Sequence, residues 1–380
     1  MRLSRKHGLS LLLIAVVVAL PFLGACEGAT PPHGESPALL RDSAGISSLQ
    51  PYAAGFGSIA VEDFAGTEIQ NARAALPLLA QKKVSVVLHW KAEMLDDPER
   101  WAFTVDALAQ GVEVHPWLLL AESDGYWPGS TNASLFSAKA RQLSSLWISH
   151  GLAPTTLVVD MEMRMDRYRR LDELLSAPIA NVFEIVHFLR SGVNRWQYFG
   201  ATLTYAALVN DLHRAGWKVH LTTAPQMADD YSDGDDGLRQ AFGVPVDSIA
   251  WDSISIQAYR TLFGGYSLFG PLTPFFVYDY GKMAQKVWGS RAAIDIGITG
   301  NGVDHAPTYV DGSDMRRDVE AALSAGFYPD DIFVYNLEGI LDKPPVAGWF
   351  EAPQENAPAP PLDMGTPAIH AMSITLDLAL

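Results

Sequence analysis

Ser253-Ile254-Ser255-Ile256-Gln257-Ala258-Tyr259 alternates strictly between polar and apolar residues. With the two-residue period of a strand, Ile254, Ile256 and Ala258 share one face, and Ser255, Gln257 and Tyr259 the other. Ile294-Asp295-Ile296-Gly297-Ile298-Thr299 repeats the pattern, with isoleucines on one face and Asp295, Gly297 and Thr299 on the other. An ordinary buried parallel strand is apolar on both faces. A barrel strand instead turns one side to the surrounding helices and the other to the interior. Polar interior faces near the strand ends then mark a site.

Similar strand-like stretches recur along the chain, at or near residues 57–61, then 84–90, 112–120, 156–163, 218–224 and 332–338. Helical patterns lie between them, for example over residues 67–81, 98–110, 133–150 and 314–325. Gly111, Gly151, Gly216 and Gly326 each follow such a run directly, which is where a helix stop belongs. The stretch 167–216 is too long for one helix and is expected to hold two or three. Strands alternating with helices imply parallel pairing, and eight such units imply an α/β chain closed into a single (β/α)8 TIM-type barrel. An open Rossmann-like sheet is the competing reading. It calls for a glycine fingerprint after the first strand, and none is present.

The two ends read differently from the middle. Arg2, Arg5 and Lys6 precede an apolar run over residues 9–23, followed by Leu23-Gly24-Ala25-Cys26. That layout is expected to be a secretory signal peptide over residues 1–25. The run is shorter than the ~20 residues a membrane-spanning helix needs. Leu-Gly-Ala-Cys resembles the lipobox of bacterial lipoproteins, which implies lipidation of Cys26 and an exported protein anchored at the bacterial cell envelope, on the outer membrane or cell surface. An ordinary signal peptide with a stray cysteine is the alternative. Cys26 is the only cysteine, so no internal disulfide can form. Residues 26–50, rich in Gly, Pro, Ser and Ala, read as a tether, 51–352 as the barrel, and 353–380 as a Pro/Ala-rich tail. The formal net charge is −16. Such acidity argues against nucleic acid and anionic lipid surfaces as partners, leaving the lipid anchor as the membrane contact.

The chemistry centres on Leu157-Val158-Val159-Asp160-Met161-Glu162-Met163. Period two sets Val158, Asp160 and Glu162 on one face. Two acids packed together in a barrel interior raise at least one pKa, as a general acid working near neutral pH requires. An ion pair of these acids with Arg164 or Arg167 is the purely structural alternative.

Asp160-Met161-Glu162 resembles the end of the DxxDxDxE signature of glycoside hydrolase family 18, the chitinases and endo-N-acetylglucosaminidases. Leu221-Thr222-Thr223-Ala224-Pro225-Gln226 resembles the LTAAPQ segment of the family's plant-type chitinases, and Ile256-Gln257-Ala258-Tyr259 their next strand. The resemblance implies that Glu162 protonates the glycosidic oxygen and that Asp160 orients the substrate's acetamido group, whose oxygen attacks the sugar carbon. It also implies that Tyr259 donates a hydrogen bond to that group, and that Gln257 and Gln226 contact the sugar. The sequence departs from the signature at its two earlier aspartates, where Thr155 and Val158 stand, and at its glycine, where Thr156 stands.

Trp90, Trp117, Tyr126 and Trp127 are candidates to stack on sugar faces. Glu338, beside Asn336, is a candidate second carboxylate or sugar contact. Gly297-Ile298-Thr299-Gly300-Asn301-Gly302 reads as a tight turn after the seventh strand rather than a phosphate cradle. No histidine or cysteine spacing suggests a metal, and nothing calls for a cofactor. The expected partner is a poly- or oligosaccharide carrying N-acetylhexosamine, hydrolysed with retention by a substrate-assisted route. Two alternatives stand beside it. One is a non-catalytic carbohydrate-binding lipoprotein; the other is a two-carboxylate glycosidase in which Glu338 or Asp295 partners Glu162.

Overall fold

The computed structural model describes residues 54–380 apart from 63–66, 177–179, 235, 267–271, 301–305 and 355. The signal segment, Cys26 and the tether lie outside the described residues. Eight strands, β1 Ser58–Val61, β2 Ser85–Lys91, β3 Val114–Leu119, β4 Thr156–Met161, β5 Lys218–Thr223, β6 Ser253–Gln257, β7 Ala292–Gly297 and β8 Ile332–Tyr335, pair in parallel in chain order. The barrel closes where Ser58 and Ile59 of β1 pair with Phe333 and Val334 of β8.

Around it run α1 Glu68–Lys82, α2 Pro98–Ala109 and α3 Ala133–Ser149, and then three helices between β4 and β5: α4 Met165–Leu175, α5 Val182–Arg190 and α6 Arg195–Arg214. After β5 come α7 Gln226–Asp233 and α8 Gly237–Phe242. The circuit is completed by α9 Arg260–Tyr266, α10 Phe275–Trp288, α11 Gly312–Ala325 and α12 Leu337–Leu341. Their starts follow from local chemistry. Asp97 caps α2 by accepting from the Glu99 N–H at 2.9 Å, with Pro98 at the first helical position. Asp311 caps α11 through the N–H groups of Ser313 and Asp314. Gly151 and Gly216 follow α3 and α6 at φ 75° and 89°, a left-handed conformation that costs glycine little.

The period-two faces separate as the sequence implies. Leu157, Val159 and Met161 of β4, Ile254 and Ile256 of β6, and Ile294 and Ile296 of β7 join the core between barrel and helices. Val158, Asp160, Ser255, Gln257 and Asp295 occupy the alternating positions that face inward. The same rule corrects one expectation. Trp90 shares the outward face of β2 with Val86 and Leu88, is fully buried, and packs at a tilt against Trp101 of α2, the ring centroids 4.5 Å apart. It is a wall of the helical core and meets no sugar.

The C-terminal stretch also differs from the tail its Pro/Ala content suggests. Residues Gly365–Asp377 form α13, which packs on α7, α8 and α10 and belongs to the unit Tyr52–Leu380. His370 of α13 bonds Asp229 through Nδ1 and Asp279 through Nε2 at 3.0 Å, and its ring stacks 4.2 Å from Tyr280. Among the described residues, no helix is long and apolar enough to cross a membrane.

Candidate active site

The inward positions of β4, β5, β6 and β7 converge at the end of the barrel where the strands finish. Asp160 is 3% exposed and Glu162, just past the end of β4, is half-buried. Gln257 of β6 joins them, its Nε2 donating to Asp160 Oδ1 at 3.1 Å and to Glu162 Oε1 at 2.7 Å. Tyr259, buried just beyond β6, lines the same cavity as Asp160, Gln257, Asp295, Thr222, Trp117 and Tyr335. Its ring has room there because Gly297 carries no side chain: a Cβ on Gly297 would stand 3.2 Å from Tyr259 Cδ1 and 2.9 Å from the Tyr335 carbonyl oxygen. Gly297 thus serves the site as well as the turn.

The ion-pair alternative for the acids is not what forms. Arg164 pairs with Asp166 at 3.0 Å, and Arg167 donates to the Phe188 carbonyl at 3.0 Å. Asp160 and Glu162 are left with each other and a neutral amide. Burial, then the charges of Glu162, Asp295 and Glu62, push the Asp160 carboxyl well above the carboxylate range. Burial raises Glu162 to about 7, against the lowering effect of its hydrogen bonds with Gln257 and Asp160. The two side chains hydrogen-bond each other and titrate as a unit. An acid of this kind can hold a proton at neutral pH and release it to a leaving oxygen.

Two further carboxylates complete the lumen. Glu62 follows β1 and accepts hydrogen bonds from Tyr126 at 3.0 Å and from Tyr335; burial raises it to about 7. Sequence reasoning missed Glu62, although the alternation of Ser58-Ile59-Ala60-Val61-Glu62 already sets it on the inward face with Ala60. Asp295 of β7 is likewise raised to about 7 by burial. Buried His89 and His220 and half-buried His115 near the lumen carry no charge, since desolvation lowers the first two to about 3 and His115 to about 4.

The remaining sequence candidates lie farther out. Tyr126, at φ 65°, and half-buried Trp127 pack on the edge of the lumen cluster, their rings 5.2 Å apart. Trp117 reaches the cavity from β3. Gln226 opens α7, half-buried, and is not among the cavity's lining residues. Glu338 sits in the first turn of α12 rather than on β8, buried and facing Glu62, also outside the lining set. Among the described residues, no group of His, Cys, Asp or Glu is arranged to hold a metal ion.

No protein-family profile and no curated protein matches the chain. Solved structures do resemble it. A glycoside hydrolase family 18 chitinase from Pseudoalteromonas aurantia is 10% identical over 74% of this chain and 93% of its own, with a TM-score of 0.43. A class V chitinase from Pseudomonas fluorescens is 12% identical over 84% and 98%, with a TM-score of 0.43. A xylose isomerase domain protein from Planctomyces limnophilus is 13% identical over 75% and 90%, with a TM-score of 0.38. These identities and scores are low, so the function proposed next rests on this chain's own residues.

Proposed function

We propose that the protein is a glycoside hydrolase acting on a glycan that contains N-acetylhexosamine, with retention of configuration and assistance from the substrate's acetamido group. The observation that carries this reading is the bridge from Gln257 to both Asp160 and Glu162, in a lumen that also holds Tyr259. Glu162, the more open of the two acids, gives its proton to the glycosidic oxygen as the bond to the sugar breaks. The acetamido oxygen forms the new bond to the sugar carbon, and Asp160 steadies the positive charge on the ring that results. Tyr259 and Gln257 hold the acetamido group in line. Water then opens the ring, returning a proton to Glu162. Both acids stand two residues apart in the chain and accept from the one amide of Gln257, so they lie on the same side of a bound sugar and neither attacks from its opposite face. The protein is further proposed to be exported and held at the bacterial cell envelope by lipid on Cys26.

One observation favours a second reading, a non-catalytic glycan-binding protein. The cavity beneath the acids is about 40 Å³, space for a few waters, whereas ligand pockets run to ~300–1,000 Å³. Incubation of the purified protein with chitin oligosaccharides, peptidoglycan and N-glycans separates the two. Hydrolysis that Glu162→Gln abolishes supports the enzyme. Binding without hydrolysis supports the second reading, and neither binding nor hydrolysis rejects both.

A further inference from the structure

Glu62 has no part in the reaction sketched above, yet its two carboxylate oxygens hold two tyrosines of the lumen. Oε2 accepts from the hydroxyl of Tyr335, the last residue of β8. Oε1 accepts from the hydroxyl of Tyr126, in the segment after β3, at 3.0 Å. Glu62 is buried at the end of β1, where little water competes for these hydroxyls. An acceptor in such a place fixes where each hydroxyl points, because leaving a buried one unpaired is costly.

Tyr335 is the more telling of the two. Its ring lines the cavity, stands edge-on to Trp117 with centroids 6.4 Å apart, and lies 5.7 Å from the ring of Tyr259. The cavity has two sides. Val87, Trp117 and Tyr335 bring apolar surface from β2, β3 and β8, while Asp160, Gln257 and Asp295 bring polar groups from β4, β6 and β7. The hydroxyl of Tyr335 is spent on Glu62, so the residue offers the cavity its ring. Tyr259 differs: among the described residues its hydroxyl has no hydrogen-bond partner, which leaves it free to serve a ligand.

We infer that Glu62 is a positioning residue that takes the Tyr335 hydroxyl, so that the ring of Tyr335 is the apolar wall a ligand meets and Tyr259 is the tyrosine that donates to it. One carboxylate on β1 thereby sorts two neighbouring tyrosines into different tasks. The sorting stands on the hydrogen bonds and ring contacts alone; its consequence for glycan binding and turnover rests on the glycosidase reading.

A double-mutant cycle of Glu62→Leu and Tyr335→Phe tests this, with Glu62→Gln as the conservative control and chitin oligosaccharides as the ligand. Glu62→Leu should raise KM by about tenfold and leave kcat little changed, because a wall binds ground and transition states alike. Tyr335→Phe should raise KM in the same direction, and the double variant should be no worse than Glu62→Leu alone. Glu62→Gln keeps an acceptor oxygen and should hold the wild-type KM. Additive rises in KM, or a loss of kcat with KM unmoved, would overturn the inference. Fluorine NMR of the free protein carrying fluorotyrosine gives a second readout, the Tyr335 signal being assigned by its loss in Tyr335→Phe. That signal should shift in Glu62→Leu and stay in place in Glu62→Gln; a signal unmoved in Glu62→Leu would overturn the inference. If Glu62→Leu does not fold, a raised KM in Tyr335→Phe beside a wild-type KM in Glu62→Gln is the required result, and any other rejects it. A shifted Tyr335 signal with no hydrolysis or binding of any glycan would reject the glycosidase reading alone. Hydrolysis with the signal unmoved would reject the inference alone.

Discussion

The Nε2 atom of Gln257 lies 2.7 Å from Oε1 of Glu162. This bond favours the ionised carboxylate, and burial opposes it and wins, leaving Glu162 at about 7. Removing the amide by Gln257→Leu should therefore raise Glu162 further and move the alkaline limb of the rate profile upward. Glu162→Gln keeps the shape and loses the titrating proton. Its kcat should fall by ~10²–10⁴-fold with the melting temperature little changed. Near-normal turnover in a folded Glu162→Gln protein would remove Glu162 from the mechanism.

Asp160→Asn addresses the nucleophile. If the acetamido oxygen attacks, a thiazoline mimic of the cyclised ring should inhibit competitively, and Asp160→Asn should lose both activity and affinity for the mimic. A covalent glycosyl adduct trapped on Glu62, Glu338 or any other residue, found by mass spectrometry, would point to a two-carboxylate reaction instead.

Stability should fall as pH rises, in two windows. Glu62 and Asp295 are raised from 4.5 and 3.8 to about 7, so the fold prefers their protonated forms. Their contribution is full below the unfolded values and is lost as pH climbs toward 7. His370 is raised from 6.5 to about 9 by its bonds to Asp229 and Asp279, against the lowering effect of burial. Its contribution is full below 6.5 and is lost through 9. Melting temperatures measured across pH should show both declines, and His370→Gln should erase only the second. A melting temperature that is flat between pH 7 and 9 in the wild type would contradict the clamp on α13.

Cys26→Ser tests the anchor. Lipidated protein should partition with membranes, because several acyl chains hold stably where one binds reversibly. The variant should be left unprocessed. Native protein found free in the medium, with mass spectrometry showing no lipid on Cys26, would exclude the anchor.

The barrel was legible because strand alternation carries it: Ile254, Ile256, Ile294 and Ile296 report the outer face, and Gln257 and Asp295 the inner. Asp160, Gln257 and Tyr259 come together as their strands imply. Trp90 failed as a sugar contact because its residue type was weighed and its parity on β2 was not. Glu62 was overlooked because β1 is only four residues long, which leaves little pattern to read. The place of Glu338 depends on where β8 ends, at Tyr335, and strand ends are set by tertiary packing rather than by local preference. His370 could not be foreseen at all, since its partners lie 91 and 141 residues away in the chain.

Tyr126 introduces time into the behaviour of this site. Its hydroxyl ties the segment after β3 to Glu62 at the end of β1, bridging over the end of β2. Its backbone, at φ 65°, occupies a conformation that a bulky residue holds only when its surroundings insist. The cavity measures about 40 Å³, so on the proposed function that tie or another wall gives way before a sugar ring settles in it. Association should then saturate with ligand concentration, at a rate set by the protein's own opening rather than by collision. Inhibition by a ring mimic would develop slowly after mixing, and loosening the tie with Tyr126→Phe would hasten its onset.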